Sequence, residues 1–156
     1  MSGRTYSVIF SAVSVSAAQD LFEISPASNK PIEIIGIELG QSSDAGDAQD
    51  ELLQISFIRG HATSGSGGSS PTPQPLEPNE AAAGFTAETN NTTVASTGTA
   101  VTLQTGCWNV RAGYINWFPE GCRPAATSSS SSLVVRQTAP ADAITMSGTL
   151  YVREIS

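Results

Sequence analysis

Basic residues are scarce in this sequence: Lys and Arg total 7 of 156 residues against 14 Asp and Glu, for a net charge of −7. Phosphate backbones are held by dense basic stripes that release counterions, so this thin scatter of cations argues against nucleic acid as a partner. Histidine occurs once, as His61. One imidazole cannot build the multi-histidine metal site of a small cupin-like enzyme. No distinctive nucleophile or orienting acid stands beside it to complete a triad, so neither a catalytic residue nor a cofactor is expected. No apolar run reaches the roughly 20 residues that cross a bilayer, and the first residues, Met1-Ser-Gly-Arg-Thr-Tyr, lack the apolar stretch of a secretion signal. The expectation is a chain made in the cytoplasm with no membrane partner.

Cysteine is equally sparse. Cys107 and Cys122 bracket an apparent strand, Trp108–Phe118, which if straight would span roughly 35 Å at about 3.3 Å per residue. A disulfide needs Cα atoms about 5.5 Å apart, so a bridge requires the segment to fold back, for instance at Ala112-Gly113. Free thiols are the expectation in a reducing compartment.

Ser, Thr, Ala and Gly are abundant instead, and the length suits one domain, 1–156, with a core of its own. The dominant pattern is β. Arg4–Ser16 alternates Tyr6, Val8, Phe10 and Ala12 against Thr5, Ser7, Ile9 and Ser11, the period of a half-buried strand. Leu21–Ile24 reads as a short strand ended by Ser25-Pro26. Ile32–Leu39 is apolar on both faces and should lie centrally. Further strands are expected over Leu52–Ile58, Gly84–Thr89, Ala100–Gln104, the aromatic Trp108–Phe118, Leu133–Arg136 and Ile144–Ile155, with a turn at Asn90–Thr93 and a serine loop at Ser128–Ser132. About eight strands with almost no amphipathic helix imply an all-β, jelly-roll-like antiparallel sandwich, with an immunoglobulin-like sandwich as the alternative.

Between the two runs of strands lies a polar stretch, Arg59–Phe85, rich in Gly, Ser and Pro. Pro71, Pro73, Pro75 and Pro78 fix φ and remove backbone donors, so an inserted loop or arm running extended across another surface is expected. Gly65-Ser-Gly-Gly68 lacks the Lys and the helix of a phosphate loop and reads as a turn that another backbone approaches closely. Asp44, Asp47, Asp50 and Glu51 put four carboxylates in eight residues, oxygen ligands suited to a hard cation, but off the EF-hand spacing; a solvated acidic loop is the other reading. Trp108, Tyr114 and Trp117 could form a sugar-stacking face or pack in the core.

Several segments resemble head decoration, or capsid cement, proteins of tailed bacteriophages: Arg4-Thr-Tyr-Ser-Val-Ile-Phe, Ala18-Gln-Asp-Leu-Phe-Glu-Ile, Arg59-Gly-His-Ala-Thr-Ser-Gly-Ser-Gly-Gly, Ala82-Ala-Gly-Phe-Thr-Ala-Glu, Trp108-Asn-Val-Arg-Ala-Gly and Met146-Ser-Gly-Thr-Leu-Tyr-Val. The resemblance implies a non-enzymatic virion protein on the capsid surface, bound to the major capsid protein, often as a homotrimer. In that reading Arg4, Tyr6, Arg59, His61, Pro71, Pro73, Pro75 and Phe85 are the expected interface residues. The alternative is a carbohydrate- or receptor-binding module of a head or tail fibre, with a glycan as partner.

Overall fold

A computed structural model describes residues 3–43, 51–128 and 130–155. Alternating apolar residues turn one face of each strand inward. The strands are β1 (Arg4–Val15), β2 (Gln19–Ser25), β3 (Ile32–Gln41), β4 (Leu52–Arg59), β5 (Gln74–Pro75), β6 (Thr86–Asn91), β7 (Val101–Asn109), β8 (Tyr114–Trp117), β9 (Ala125–Ala126), β10 (Leu133–Gln137) and β11 (Ile144–Glu154). The first sheet runs β5-β1-β11-β3-β8, with β9 continuing the β8 edge along β3, and the second runs β6-β2-β10-β4-β7. All of the pairing is antiparallel.

Setting aside β5, β6 and β9 leaves eight strands paired as β1 with β11, β2 with β10, β3 with β8, and β4 with β7. Four nested pairs of this kind are a long hairpin rolled up on itself, which is the jelly roll. The immunoglobulin-like alternative does not fit this order.

Between the sheets lies one main core. Tyr6, Val8 and Phe10 of β1, with Met146, Leu150 and Val152 of β11 beside them, gather in one buried cluster with Leu21, Phe22 and Ile24 of β2 and Ile55 and Phe57 of β4 from the second sheet. Phe10 and Phe22 meet at 5.3 Å between ring centroids, and Phe57 meets Phe118 edge-on at 5.2 Å, geometries that add to area burial.

Three local expectations are corrected. The alternation of β1 breaks at a bulge between Phe10 and Val13, where Ala12 has φ +53° and its N–H donates to Ser147 Oγ at 2.9 Å. The extra residue leaves Ala12 exposed and hands its inward place to Val13 and Val15. Trp108–Phe118 is not one strand: the chain turns over Val110–Gly113, with Gly113 at φ +76°, and crosses from the second sheet to the first. Asn90 and Asn91 are not in a turn but end β6, both buried, with Asn90 at φ +56°. Cys107 and Cys122 are free and exposed. The acidic stretch Asp44–Glu51, read as a cation loop or a solvated one, lies outside the described residues except for Glu51, whose carboxylate accepts from the Ala141 N–H.

The connection from β4 to β6 is the long excursion foreseen at 59–85, but it is strapped to its own domain. Thr63, Ser66 and Ser69 pair with Ser96, Thr93 and Thr89 through backbone hydrogen bonds of 2.8–3.0 Å. The close approach expected at Gly65–Gly68 is real: a Cβ on Gly68 would sit 2.0 Å from the Thr89 carbonyl oxygen. The strap then passes to the other sheet, where β5 pairs with Tyr6 and Ser7 and the Leu76 N–H donates to Thr5 O at 3.0 Å. It thereby covers the free edges of both β6 and β1, which would otherwise present unpaired backbone groups.

Candidate interaction surface

The two outer faces of the sandwich differ in one respect. The chain itself covers the second sheet. Ile58 and Val134 on its outer side pack under Ala95 as a small second core. Asp20, fully buried, accepts from Arg136 at 2.6 and 3.2 Å and from the Ala95 N–H at 2.7 Å, while Arg136 also donates to Ala95 O at 2.8 Å. Glu23 accepts from the Gly65 N–H at 2.9 Å and from Asn91 Nδ2 at 3.2 Å. These bonds fasten residues 61–69 and 92–96 over β2 and β10.

Nothing among the described residues covers the first sheet in this way. The register of its strands sets out the outer face row by row. In one row Gln74, Ser7, Tyr151, Gly36 and Trp117 lie side by side across β5, β1, β11, β3 and β8. In the next, Ile9, Thr149, Glu38 and Ile115 are neighbours. Ile9 is 56% exposed, Ile115 69% and Trp117 53%. The glycines of β3 shape this surface. At Gly36 a Cβ would lie 2.4 Å from Trp117 Cε3, so only glycine lets the indole lean across β3 and stack on Tyr151, 4.8 Å between centroids and 29° between planes. Over Gly40 the space is empty. A groove of about 520 Å³ opens there, lined by Leu39, Gly40, Gln41, Val110, Gly113 and Ile115.

Apart from Glu38 and from Arg111, which also lines the groove, charge is confined to the margins. At one end Glu33 pairs with Arg123 at 2.7 Å and Arg153 at 3.4 Å. Burial, the Glu38 carboxylate and a 3.5 Å hydrogen bond to it hold the Tyr151 phenol above its ordinary pKa of 10.0. Tyr151 therefore stays neutral through the physiological range, and the centre of the face carries one charge.

The expected interface residues are scattered. Tyr6 and Phe85 are core residues, 0% and 2% exposed and edge-on at 5.4 Å; a side chain with no accessible surface cannot grip a neighbour, so both assignments are corrected. Arg4 pairs within the chain with Glu80 at 3.0 Å, and Arg59 donates to Ala125 O at 2.8 Å. Pro71, Pro73 and Pro75 are half-buried and alternate with exposed Thr72, Gln74 and Leu76. His61 lies at the root of the strap, both ring nitrogens buried and without partners. Trp108 is in the core and Tyr114 packs partly against it, which leaves exposed Trp117, stacked on half-buried Tyr151. The sequence did carry a signal for this face: Ile9 stands among Thr5, Ser7 and Ser11 on the outward side of the β1 alternation. Tyr151 stands in the same way among Thr145, Ser147, Thr149 and Arg153 on the outward side of the β11 alternation; Ile115 gave no comparable sign.

Among the described residues no three His, Cys, Asp or Glu side chains gather where a metal ion could sit. No helix among them is long and apolar enough to cross a membrane. No protein-family model matches the chain, and no curated protein matches it significantly.

Proposed function

We propose that this chain is a structural protein of a tailed-phage particle, a head decoration or cement protein that binds the major capsid protein through the outer face of its first sheet. The observation that carries the reading is the asymmetry of the sandwich. One outer face is closed by a strap and a buried ion pair, while the other is flat, nearly uncharged and bare, with Trp117, Ile115 and Ile9 each more than half exposed. Isolated apolar residues on a surface are ordinary; here Trp117 leans over Gly36 onto Tyr151, while Ile9 lies across the face from Ile115 with Thr149 and Glu38 between them. Trp and Tyr, moreover, are the residues that dominate binding energy at the centres of interfaces.

A cement acts by many modest contacts repeated over a shell, and a rigid sheet needs little ordering to make them. The strap's role in this reading is to stiffen the domain and extend the face at its β5 edge with Gln74 and Leu76. Homotrimers on the capsid exterior are the assembly implied by the resemblance to decoration proteins, and closure of such a ring needs two different patches on each protomer.

A second reading rests on Trp117 alone, as a sugar-stacking residue of a receptor-binding module. The stack with Tyr151 occupies one face of each ring, which leaves the indole a single face for a sugar. Co-sedimentation with undecorated heads separates the two. Trp117→Ala, checked for an unchanged melting profile, should weaken attachment by at least about 2 kcal/mol, roughly 30-fold, with no glycan bound by the wild-type chain. Undiminished attachment would remove the face from the proposal, and glycan binding lost in the same variant would favour the second reading.

A further inference from the structure

At the root of the strap, on the second sheet and away from the face just described, a cavity of about 80 Å³ is lined by Glu23, Ser25, His61, Ala62, Ser64, Ser130 and Ser132. Glu23 is 2% exposed. Its Oε2 takes both hydrogen bonds, from Gly65 and Asn91, and its Oε1 takes none. Both ring nitrogens of His61 are likewise buried without a partner. Arg136 is committed to Asp20, Arg59 donates to Ala125, and the one lysine, Lys30, lies beside Glu154. No ion pair among the described residues therefore offsets the Glu23 carboxylate.

A buried carboxylate with a free oxygen and no counter-charge is costly. Water can supply a donor but not a charge. The groups facing the cavity are an anionic oxygen, serine hydroxyls that can all accept, and an imidazole that accepts through one nitrogen when neutral. This acceptor-rich set matches three N–H donors on one positive centre. At about 30 Å³ per water, the volume holds two or three waters, or one ammonium with the methylene that carries it; a guanidinium is broader and planar.

We propose that this cavity is a binding site for a primary ammonium group, presented as a lysine side chain by another protein. Lys30 is already placed against Glu154, so the lysine comes from a different molecule. The site stands on its own geometry, and its failure would leave the docking face untouched.

The protein has a single histidine, so the His61 imidazole signals in an NMR spectrum report on the cavity without ambiguity. At neutral pH, titration with Nα-acetyl-lysine amide should shift them saturably. Ethylammonium should shift them in the same direction at higher concentration. Nα-acetyl-norleucine amide, which has no charge, and tetramethylammonium, which has no N–H, should not. Glu23→Gln keeps the shape and the acceptor for Gly65, and should weaken the lysine derivative at least about tenfold. Ser132→Ala, which leaves the carboxylate in place, should weaken it less. No saturable shift in the wild-type protein, or an equal shift with tetramethylammonium, would overturn the proposal whatever the variants do. Equal affinity for ethylammonium and the lysine derivative would overturn the assignment to a lysine side chain.

Discussion

Replacing Phe85 with Ala removes the plug by which the strap re-enters the core. Phe85 is 2% exposed and meets Tyr6 edge-on at 5.4 Å. The Tyr6 hydroxyl donates to Ala81 O at 2.9 Å, and the adjacent Gly84 N–H donates to the Glu154 carboxylate at 2.8 Å. Truncating a buried Phe costs about 3–5 kcal/mol, and the edge-on pair accounts for about 0.5–1.5 kcal/mol of that beyond area. In a domain of this size a loss of about 3–5 kcal/mol lowers the melting midpoint by roughly 6–20 °C. Tyr6→Phe keeps the ring and loses only the bond to Ala81, for about 0.5–1.5 kcal/mol. Urea unfolding of Phe85→Ala, Tyr6→Ala and the double variant would give the coupling directly. Limited digestion with a broad-specificity protease should cut first within Leu76–Ala83 in Phe85→Ala and leave that stretch intact in the wild type. A cost below about 1 kcal/mol with unchanged protease resistance would refute the argument that the strap is fastened to its own domain.

Asp20→Ala strands Arg136 and the Ala95 N–H, and should cost about 3–5 kcal/mol by urea unfolding. Gly36→Ala drives a methyl group into the indole of Trp117; because that ring is half exposed it can swing away, so the near-ultraviolet circular dichroism of the stack should be lost while stability changes little. Tyr151 has a folded-state pKa above the 10.0 of the free phenol, so its contribution to stability is complete below pH 10 and is lost as pH rises from there through the folded value. Glu38→Gln removes the carboxylate's charge but neither the burial nor an oxygen that can accept from the phenol. It should therefore bring the Tyr151 transition part of the way back in a phenolate absorbance titration, with Tyr151→Phe as the reference that identifies it.

Strand positions were legible wherever alternation was clean. The inward residues of β11, Met146, Gly148, Leu150 and Val152, follow from period two alone, and β3 sits between partners on both sides as its isoleucines required. Topology followed from strand number and turn spacing. What failed has local causes. A positive φ at Ala12 inserts a bulge that no apolar pattern announces. Val110–Gly113 breaks an aromatic run that looked continuous because both of its halves, one in each sheet, are rich in large side chains. The strap's extended form was readable from Pro71, Pro73 and Pro75, but not its destination, which depends on Phe85 finding Tyr6 and on Gly65 finding Glu23, contacts between residues far apart in sequence. The open face was legible at Ile9 and Tyr151, on the outward sides of β1 and β11, but not in the gaps at Gly36 and Gly40 or in what leans over them.

The central claim is that the bare face of the first sheet is the one that meets a shell. A reconstruction of decorated heads that resolves side chains tests it most directly. The account predicts Trp117, Ile115, Ile9 and Tyr151 against the major capsid protein, with the strap outside that contact except at Gln74 and Leu76. A particle in which those four side chains face solvent, while another surface of the sandwich touches the shell, would contradict it.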